Sequence, residues 1–152
     1  MIAFALAKIG PEAKGAMPAL IGTLTGSSPQ LRVRAAYAIS RIKPEGKEAI
    51  PILIKALNGK NYNDQCLAAH GLVAFDYFAP GEVPKIISAL CSTSQETGYT
   101  RADWNVMNKF QPDKKSITAY LLKASKNKDK AIQAAATEAL KKWEKYTPWP
   151  WE

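Results

Sequence analysis

Residues 42–57 read IKPEGKEAIPILIKAL, and a close copy, IGPEAKGAMPALIGTL, occupies residues 9–24, which lie 33 positions earlier. A weaker third copy, VPKIISAL, covers residues 83–90. The three copies stay in register without a gap at one proline position and one leucine position: Pro18, Pro51 and Pro84, then Leu24, Leu57 and Leu90. A fixed period of this length is typical of proteins built from stacked repeats.

Each repeat reads as two helices joined by a short turn. Pro11 and Glu12 suit the first turn of the first helix, and Pro18 further along predicts a kink. Apolar residues of this helix form a predicted stripe of Leu20, Ile21 and Leu24. The second helix, about residues 30–43, spaces its apolar residues by three and four, at Leu31, Ala35, Ala38, Ile39 and Ile42. Neither helix can bury its apolar face alone, so the units are expected to stack.

The period predicts a single all-α domain of about three and a half helix pairs. The expected divisions are a half unit at residues 1–10, units at 11–43, 44–76, 80–110 (degenerate) and 113–145, and an aromatic C-terminal tail or cap at 146–152. The last unit is predicted because LLKAS at residues 121–125 matches LIKAL at residues 53–57.

The half unit at the N-terminus matches a second helix that lacks its first. Ala5, Leu6 and Ile9 fall on one predicted apolar face. Terminal repeats normally need a polar cap, so two interpretations arise: the chain is a fragment of a longer repeat array, or a partner covers this face. The first is favoured.

The formal net charge of +8 comes mostly from lysine, with 17 Lys and 4 Arg among the 152 residues. Such an excess favours acidic partners, among them nucleic acid, anionic lipid and acidic protein surfaces. A simpler interpretation is a solvated, solubilising surface.

Cys66 and Cys91 match no metal-binding spacing and are expected to pack as small apolar residues, which favours a reducing compartment. The apolar N-terminus lacks a basic region, and no apolar run approaches the roughly 18–20 residues that span a bilayer. We therefore predict a soluble cytoplasmic protein without a membrane partner.

The pairing of PEAKGAMPALIGTL with LRVRAAYAISRI resembles HEAT repeats, in particular the HEAT-like repeats of phycobilisome lyases. This resemblance implies a right-handed α–α superhelix of the HEAT/armadillo type, with first helices on the convex face and second helices on the concave face. HEAT repeats often carry an Asp in the turn and an Arg in the second helix. Here Arg32 holds the Arg position, whereas the turn position holds Ser28, Asn61 and Asp129 in successive readable units. Stacking is therefore expected to rest mainly on apolar contacts.

Residues that could carry catalysis are sparse. His70 is the only histidine, no phosphate-binding glycine loop occurs, and one His with two scattered Cys offers no metal-ligand set. We predict no enzymatic activity, no cofactor and no metal.

The outward line of the second helices offers a better candidate for binding. It interleaves basic and aromatic residues: Phe4 and Lys8, then Arg34, Tyr37 and Arg41, then His70, with Trp104 and Lys142 as its continuation in the later units. Such a mixture suits an acidic or aromatic peptide, and it also suits phosphate contacts combined with stacking. The alternative is the ordinary polar side of amphipathic helices.

These observations predict a non-enzymatic scaffold that binds a protein or peptide, acidic by charge complementarity, through its concave face. One alternative is a nucleic-acid-binding protein similar to the HEAT-like DNA glycosylases that act on alkylated bases. Those enzymes carry Trp, Asp and Arg residues in their groove, and Arg101, Asp103 and Trp104 superficially resemble that set. A second alternative, a bilin lyase-like activity, rests on the repeat family alone.

Overall fold

The computed structural model describes residues 2–43, 46–91 and 114–144, and all regular structure in those ranges is helical. The α-helices are α1 (Ile2–Ile9), α2 (Met17–Leu24), α3 (Pro29–Ile42), α4 (Ile50–Leu57), α5 (Tyr62–Ala74), α6 (Val83–Cys91), α7 (Lys114–Ser125) and α8 (Lys130–Glu144), and two 3₁₀ segments span Gly10–Ala16 and Lys47–Ala49. Neighbouring helices pack side by side as successive helical hairpins. The prediction of an all-α repeat solenoid is confirmed.

Repeated prolines mark where the first helix of each unit becomes α-helical. Pro18, Pro51 and Pro84 are each the second residue of their helix. The N–H groups of a first turn have no partner within the helix, so proline loses no hydrogen bond there. The prediction that Pro18 kinks a continuous helix is therefore wrong, because a 3₁₀ segment, Gly10–Ala16, ends just before α2 begins.

The turn position that varies between units caps the second helix. Ser28 Oγ accepts a hydrogen bond from the backbone N–H of Leu31 at 3.4 Å, and Asn61 Oδ1 accepts one from Asp64 at 3.1 Å. Asp129 Oδ1 accepts two, at 2.9 and 3.2 Å. Ser, Asn and Asp can all cap a helix start, so this position needs a short side-chain oxygen rather than a charge.

Arg32 braces the turn of its own unit. Its Nη1 donates to the carbonyl oxygens of Gly26 at 2.5 Å and Ser27 at 3.3 Å. One repeat later, Gln65 Nε2 donates to Gly59 O at 2.7 Å. Arg32 and Gln65 thus both stabilise the turn that precedes their own helix. These hydrogen bonds lie within one unit and do not join neighbouring units.

Apolar contacts join the units. Helix α3 packs between α1 and α5, and its residues 35–40 are all buried. Small residues allow this close approach: Ala36 and Ala38 are fully buried in α3, as are Ala68 and Ala69 in α5. Fully or almost fully buried larger side chains fill the space between helices, among them Ile39, Ile42, Leu53, Leu72, Ile86, Tyr120, Leu121 and Ile132.

Several predicted core positions turn out differently. Ile21 is 43% exposed, Leu31 53% and Ile9 56%. In α1 the predicted face of Ala5, Leu6 and Ile9 is the less covered one, because this helix packs against α3 and the adjacent 3₁₀ segment through Phe4 and Ala7. The side opposite Phe4 is left without a described helix over it.

The hairpin of α7 and α8 docks onto α5, α6 and the connection between them. The Tyr120 ring stacks on Phe78, with centroids 4.7 Å apart and planes 7° apart, and its hydroxyl donates to Tyr77 O at 2.7 Å. At the edge, Lys123 Nζ lies 2.5 Å from Asp76 Oδ2. Tyr120 is therefore the buried anchor of the C-terminal hairpin.

Some predictions fall outside the described residues: the second helix of the third unit at about 100–110, and the aromatic tail at 146–152. The division into three and a half units stays a prediction. No helix in the described ranges is long and apolar enough to cross a membrane.

Candidate functional site

The candidate residues Arg34, Tyr37 and Arg41 all come from α3, and His70 comes from the neighbouring α5. Spacings of three, four and seven place the α3 residues along one side of the helix. His70 occupies in α5 the repeat position that Tyr37 has in α3, 33 residues earlier. Because α3 and α5 pack together, these four side chains belong to one region.

Arg34 is held over an aromatic ring. Its guanidinium carbon lies 5.6 Å from the centroid of the Phe4 ring, which is a cation–π distance. Its charge also reaches Asp64 in the first turn of α5: burial raises the pKa of the Asp64 carboxyl, and the positive charge of Arg34 opposes that rise. Arg34 therefore connects α1, α3 and α5 while staying partly exposed.

Tyr37 does not face outward as predicted. Its side chain is only 5% exposed, because the Phe4 ring packs against it with centroids 6.1 Å apart and an angle of 55° between the planes. Burial raises the pKa of the Tyr37 hydroxyl, and the nearby Arg41 charge acts in the opposite direction. The tyrosine supports the surface from below.

His70 is a neutral, half-buried imidazole. Its Nδ1 is buried and has no hydrogen-bond partner in the part of the chain that the structure describes. Burial lowers the pKa of His70 to about 3, and the positive charge of Arg41 lowers it further. At neutral pH this ring contributes no charge to the surface.

Arg41 stands in the last turn of α3, where a cation interacts favourably with the partial negative charge of the helix C-terminus. It is seven residues from Arg34, which corresponds to about 10 Å along the helix axis. Arg34, Arg41 and His70 form what we call the α3–α5 surface: two partly exposed guanidinium groups beside a neutral imidazole.

Sequence reasoning missed Asp64 as a neighbour of this surface, although an acidic residue in the first turn of α5 was the available signal. Phe4, which was placed on the same outward line as Arg34, is buried beneath that guanidinium instead of facing outward. Trp104, another residue of the predicted line, lies outside the described ranges. Its place on a binding surface stays a prediction.

Among the described residues, no group of three or more His, Cys, Asp and Glu side chains is arranged to hold a metal ion. Cys66 is 2% exposed, and its Sγ donates to Ala89 O at 3.5 Å. Burial raises the pKa of its thiol to about 11. Cys66 therefore packs as a protonated, small core residue, as predicted from the sequence.

The helical hairpins and their apolar stacking define an α-helical repeat solenoid. Residues 31–59, which run from the first turn of α3 through α4 into the turn after it, match the family described as PBS lyase HEAT-like repeat. The matched segment is thus a HEAT-like repeat, and the stacked hairpins give the chain the general character of a repeat scaffold. No curated protein and no solved structure shows a significant match to the chain.

Proposed function

We propose that this protein is a non-enzymatic scaffold that binds a protein or peptide through the α3–α5 surface. The observation that carries the proposal is the pair of partly exposed guanidinium groups, Arg34 and Arg41, on one side of α3. Arginine in a preorganised position forms strong paired hydrogen bonds with carboxylates, and it is enriched among the residues that dominate interface energetics. An acidic partner therefore fits this surface best.

The partly buried setting of Arg34 supports this proposal. The Phe4 ring restricts the guanidinium, so less side-chain entropy is lost when a partner binds. His70, neutral and half-buried, adds an uncharged contact next to the two cations. The repeat fold contributes rigid spacing between these groups.

A binding experiment tests the proposal. The purified chain serves as bait in an extract of the source organism, and each captured protein is then purified and titrated calorimetrically. Arg34→Ala/Arg41→Ala should weaken a genuine partner by about tenfold or more, since loss of one interface hot spot costs about 2 kcal/mol. Tyr37 is left in place, because its removal would disturb the core.

The matched control is Lys126→Ala/Lys128→Ala, which removes the same charge from the turn between α7 and α8. If binding weakens equally in both double variants, the interaction depends only on net charge, and a site at the α3–α5 surface is refuted.

Nucleic-acid binding is the alternative function, supported by the net charge of +8. It predicts that fluorescently labelled 20-nucleotide single and double strands bind with an affinity that falls steeply with salt. Such binding, weakened by the same arginine substitutions, would replace the protein partner by nucleic acid. Bilin lyase-like activity is the weakest alternative, and an unchanged bilin absorbance spectrum in the presence of the protein would dismiss it.

A further inference from the structure

A groove of about 480 Å³ lies between the turn that joins α2 to α3 and the turn that joins α4 to α5. Buried apolar side chains, including Leu24, Val33 and Ala56, form its floor. None of the residues that line it is aromatic. Its volume is in the range of binding pockets for small ligands and short peptide segments. We call it the turn groove.

The rim of the turn groove is basic. Arg32, Lys55 and Lys60 line it, against a single carboxylate, Asp64, so the lining residues sum to three positive charges minus one negative charge. Lys55 and Lys60 are exposed, and neither side chain forms an ion pair or hydrogen bond with another residue in the described ranges. The positive charge here is not used within the described part of the fold.

Comparison of the repeats shows that the fold does not require this charge at Arg32. Gln65, at the same repeat position, makes the equivalent bond to its own turn with a neutral amide. Arg32 makes that bond too, and the two turn carbonyls hold its guanidinium in place at the groove wall. A neutral side chain suffices for the structure, so the charge of Arg32 calls for another explanation.

The equivalent of Lys55 in the last unit shows what a lysine at this position contacts. Lys123 holds the same place in LLKAS that Lys55 holds in LIKAL. Its Nζ lies 2.5 Å from the carboxylate of Asp76, which comes from the connection before α6. Lys55 forms no such ion pair with any described residue, Asp64 of the same groove included. The missing acid can therefore come from another molecule.

We propose that the turn groove binds an acidic peptide segment of a partner protein. A carboxylate of the peptide pairs with Lys55 and Lys60, and an adjacent apolar side chain covers the floor at Leu24 and Ala56. Nucleic acid fits less well, because the groove offers no aromatic ring on which a base could stack. The basic residues of the groove differ from those of the α3–α5 surface, and Asp64 is the neighbour that both share, so the two sites can be tested by separate substitutions.

Amide chemical shifts of the ¹⁵N-labelled chain, titrated with Ac-Gly-Glu-Leu-Glu-Gly-amide, test this proposal. The largest shifts are expected at Gly59, Lys60 and Asn61, which line the groove. Two control peptides separate the contributions of charge and apolar contact: the isosteric Gln-Leu-Gln peptide lacks the charge, and the Glu-Ala-Glu peptide lacks the apolar anchor. Both should bind at least fivefold more weakly.

Charge reversal localises the site. Lys55→Glu/Lys60→Glu should weaken binding of the Glu-Leu-Glu peptide at least tenfold. Lys126→Glu/Lys128→Glu reverses the same amount of charge elsewhere and should change the affinity less than twofold. Circular dichroism confirms that both variants remain helical.

Four outcomes would overturn the proposal: no shifts at millimolar peptide, equal weakening in both charge-reversal variants, equal affinity for the Gln-Leu-Gln control, or shifts confined to the α3–α5 surface. Tighter binding of a 20-nucleotide thymidine strand at the same amides would make the groove a nucleic-acid site instead.

Discussion

The substitution Gly71→Ala in α5 is predicted to destabilise the chain when Leu53 is present and to stabilise it when Leu53 is replaced by alanine. A Cβ placed on Gly71 would lie 2.8 Å from Leu53 Cδ1, 3.2 Å from Leu53 Cδ2 and 3.4 Å from Ser40 Oγ. Leu53 in α4 is fully buried and so has little room to move aside. The Gly71–Leu53 contact thus joins the two helices of one unit at closer range than an alanine permits.

Two opposing terms set the magnitude for Gly71→Ala. Alanine is favoured over glycine in a helix by about 1 kcal/mol. An extra methyl in a filled core costs about 1–3 kcal/mol. We expect Gly71→Ala to destabilise the chain by up to about 2 kcal/mol. Leu53→Ala alone should cost about 3–5 kcal/mol. In that background the obstruction is gone, so Gly71→Ala should then stabilise by about 1 kcal/mol.

Urea unfolding of the four proteins of this double-mutant cycle, followed by circular dichroism at 222 nm, measures the coupling. The expected interaction free energy between the two positions is about 1–3 kcal/mol. Ala38→Gly, at the repeat position that matches Gly71, serves as a control; it should cost about 1 kcal/mol through helix propensity and about 1 kcal/mol more for the buried methyl group that it removes. If Gly71→Ala changes stability by the same amount with and without Leu53, within about 0.5 kcal/mol, the packing argument is refuted.

Three further predictions concern the anchor, the thiol and the histidine. Tyr120→Phe keeps the ring stack and loses only the hydrogen bond to Tyr77, so urea unfolding should show a loss of about 1 kcal/mol; no loss would mean that water replaces that bond equally well. Cys66, with its pKa raised to about 11, should resist iodoacetamide at pH 8 in a Cys91→Ser background and react once guanidinium unfolds the chain; rapid labelling of the folded protein would contradict its burial. Because the folded-state pKa of His70 is lowered to about 3 from 6.5, the unfolded chain takes up the proton first. The contribution of His70 is therefore complete above about pH 6.5 and is lost as pH falls toward 3, with a limiting slope of about 1.4 kcal/mol per pH unit. The single imidazole resonance should show no titration between pH 8 and 5, and a midpoint near 6.5 would show that the ring is solvated.

The period of 33 residues was sufficient to predict the helical hairpins, because the positions that bury apolar surface recur with it. Ala35, Ala38 and Ile39 were placed correctly in the core of α3. The kink predicted at Pro18 was wrong, because this proline lies in the first turn of α2. Periodicity alone does not tell a kink within one helix from the start of a new one.

The candidate site was harder to predict, because exposure depends on what the neighbouring helix contributes. Tyr37 looked like a groove residue, yet Phe4 from α1 covers it. Leu31 looked like a core residue, yet it is 53% exposed. Helical spacing assigns a residue to a side of its own helix, whereas burial also depends on the size and angle of the next one.

The internal repeats separate residues that the fold requires from residues that it merely tolerates. Where the fold constrains a position, successive units carry similar chemistry, as Ala35 and Ala68 do in the core. Arg34 and Arg41, by contrast, have Leu67 and Ala74 as their repeat equivalents. Helix α3 therefore carries three arginines, whereas α5, the equivalent helix of the next unit, carries neither Lys nor Arg.

This asymmetry indicates that binding residues are concentrated in the second helix of the first complete unit. Arg32 belongs to the turn groove and Arg34 to the α3–α5 surface, and both come from the first two turns of α3. Side chains two positions apart on a helix point in directions about 160° apart. Arg32 and Arg34 can therefore belong to two separate surfaces. If both proposals hold, α3 presents basic groups on two sides while its remaining side supports the core. If only one holds, the two pairs of charge substitutions will show which side of α3 the partner uses.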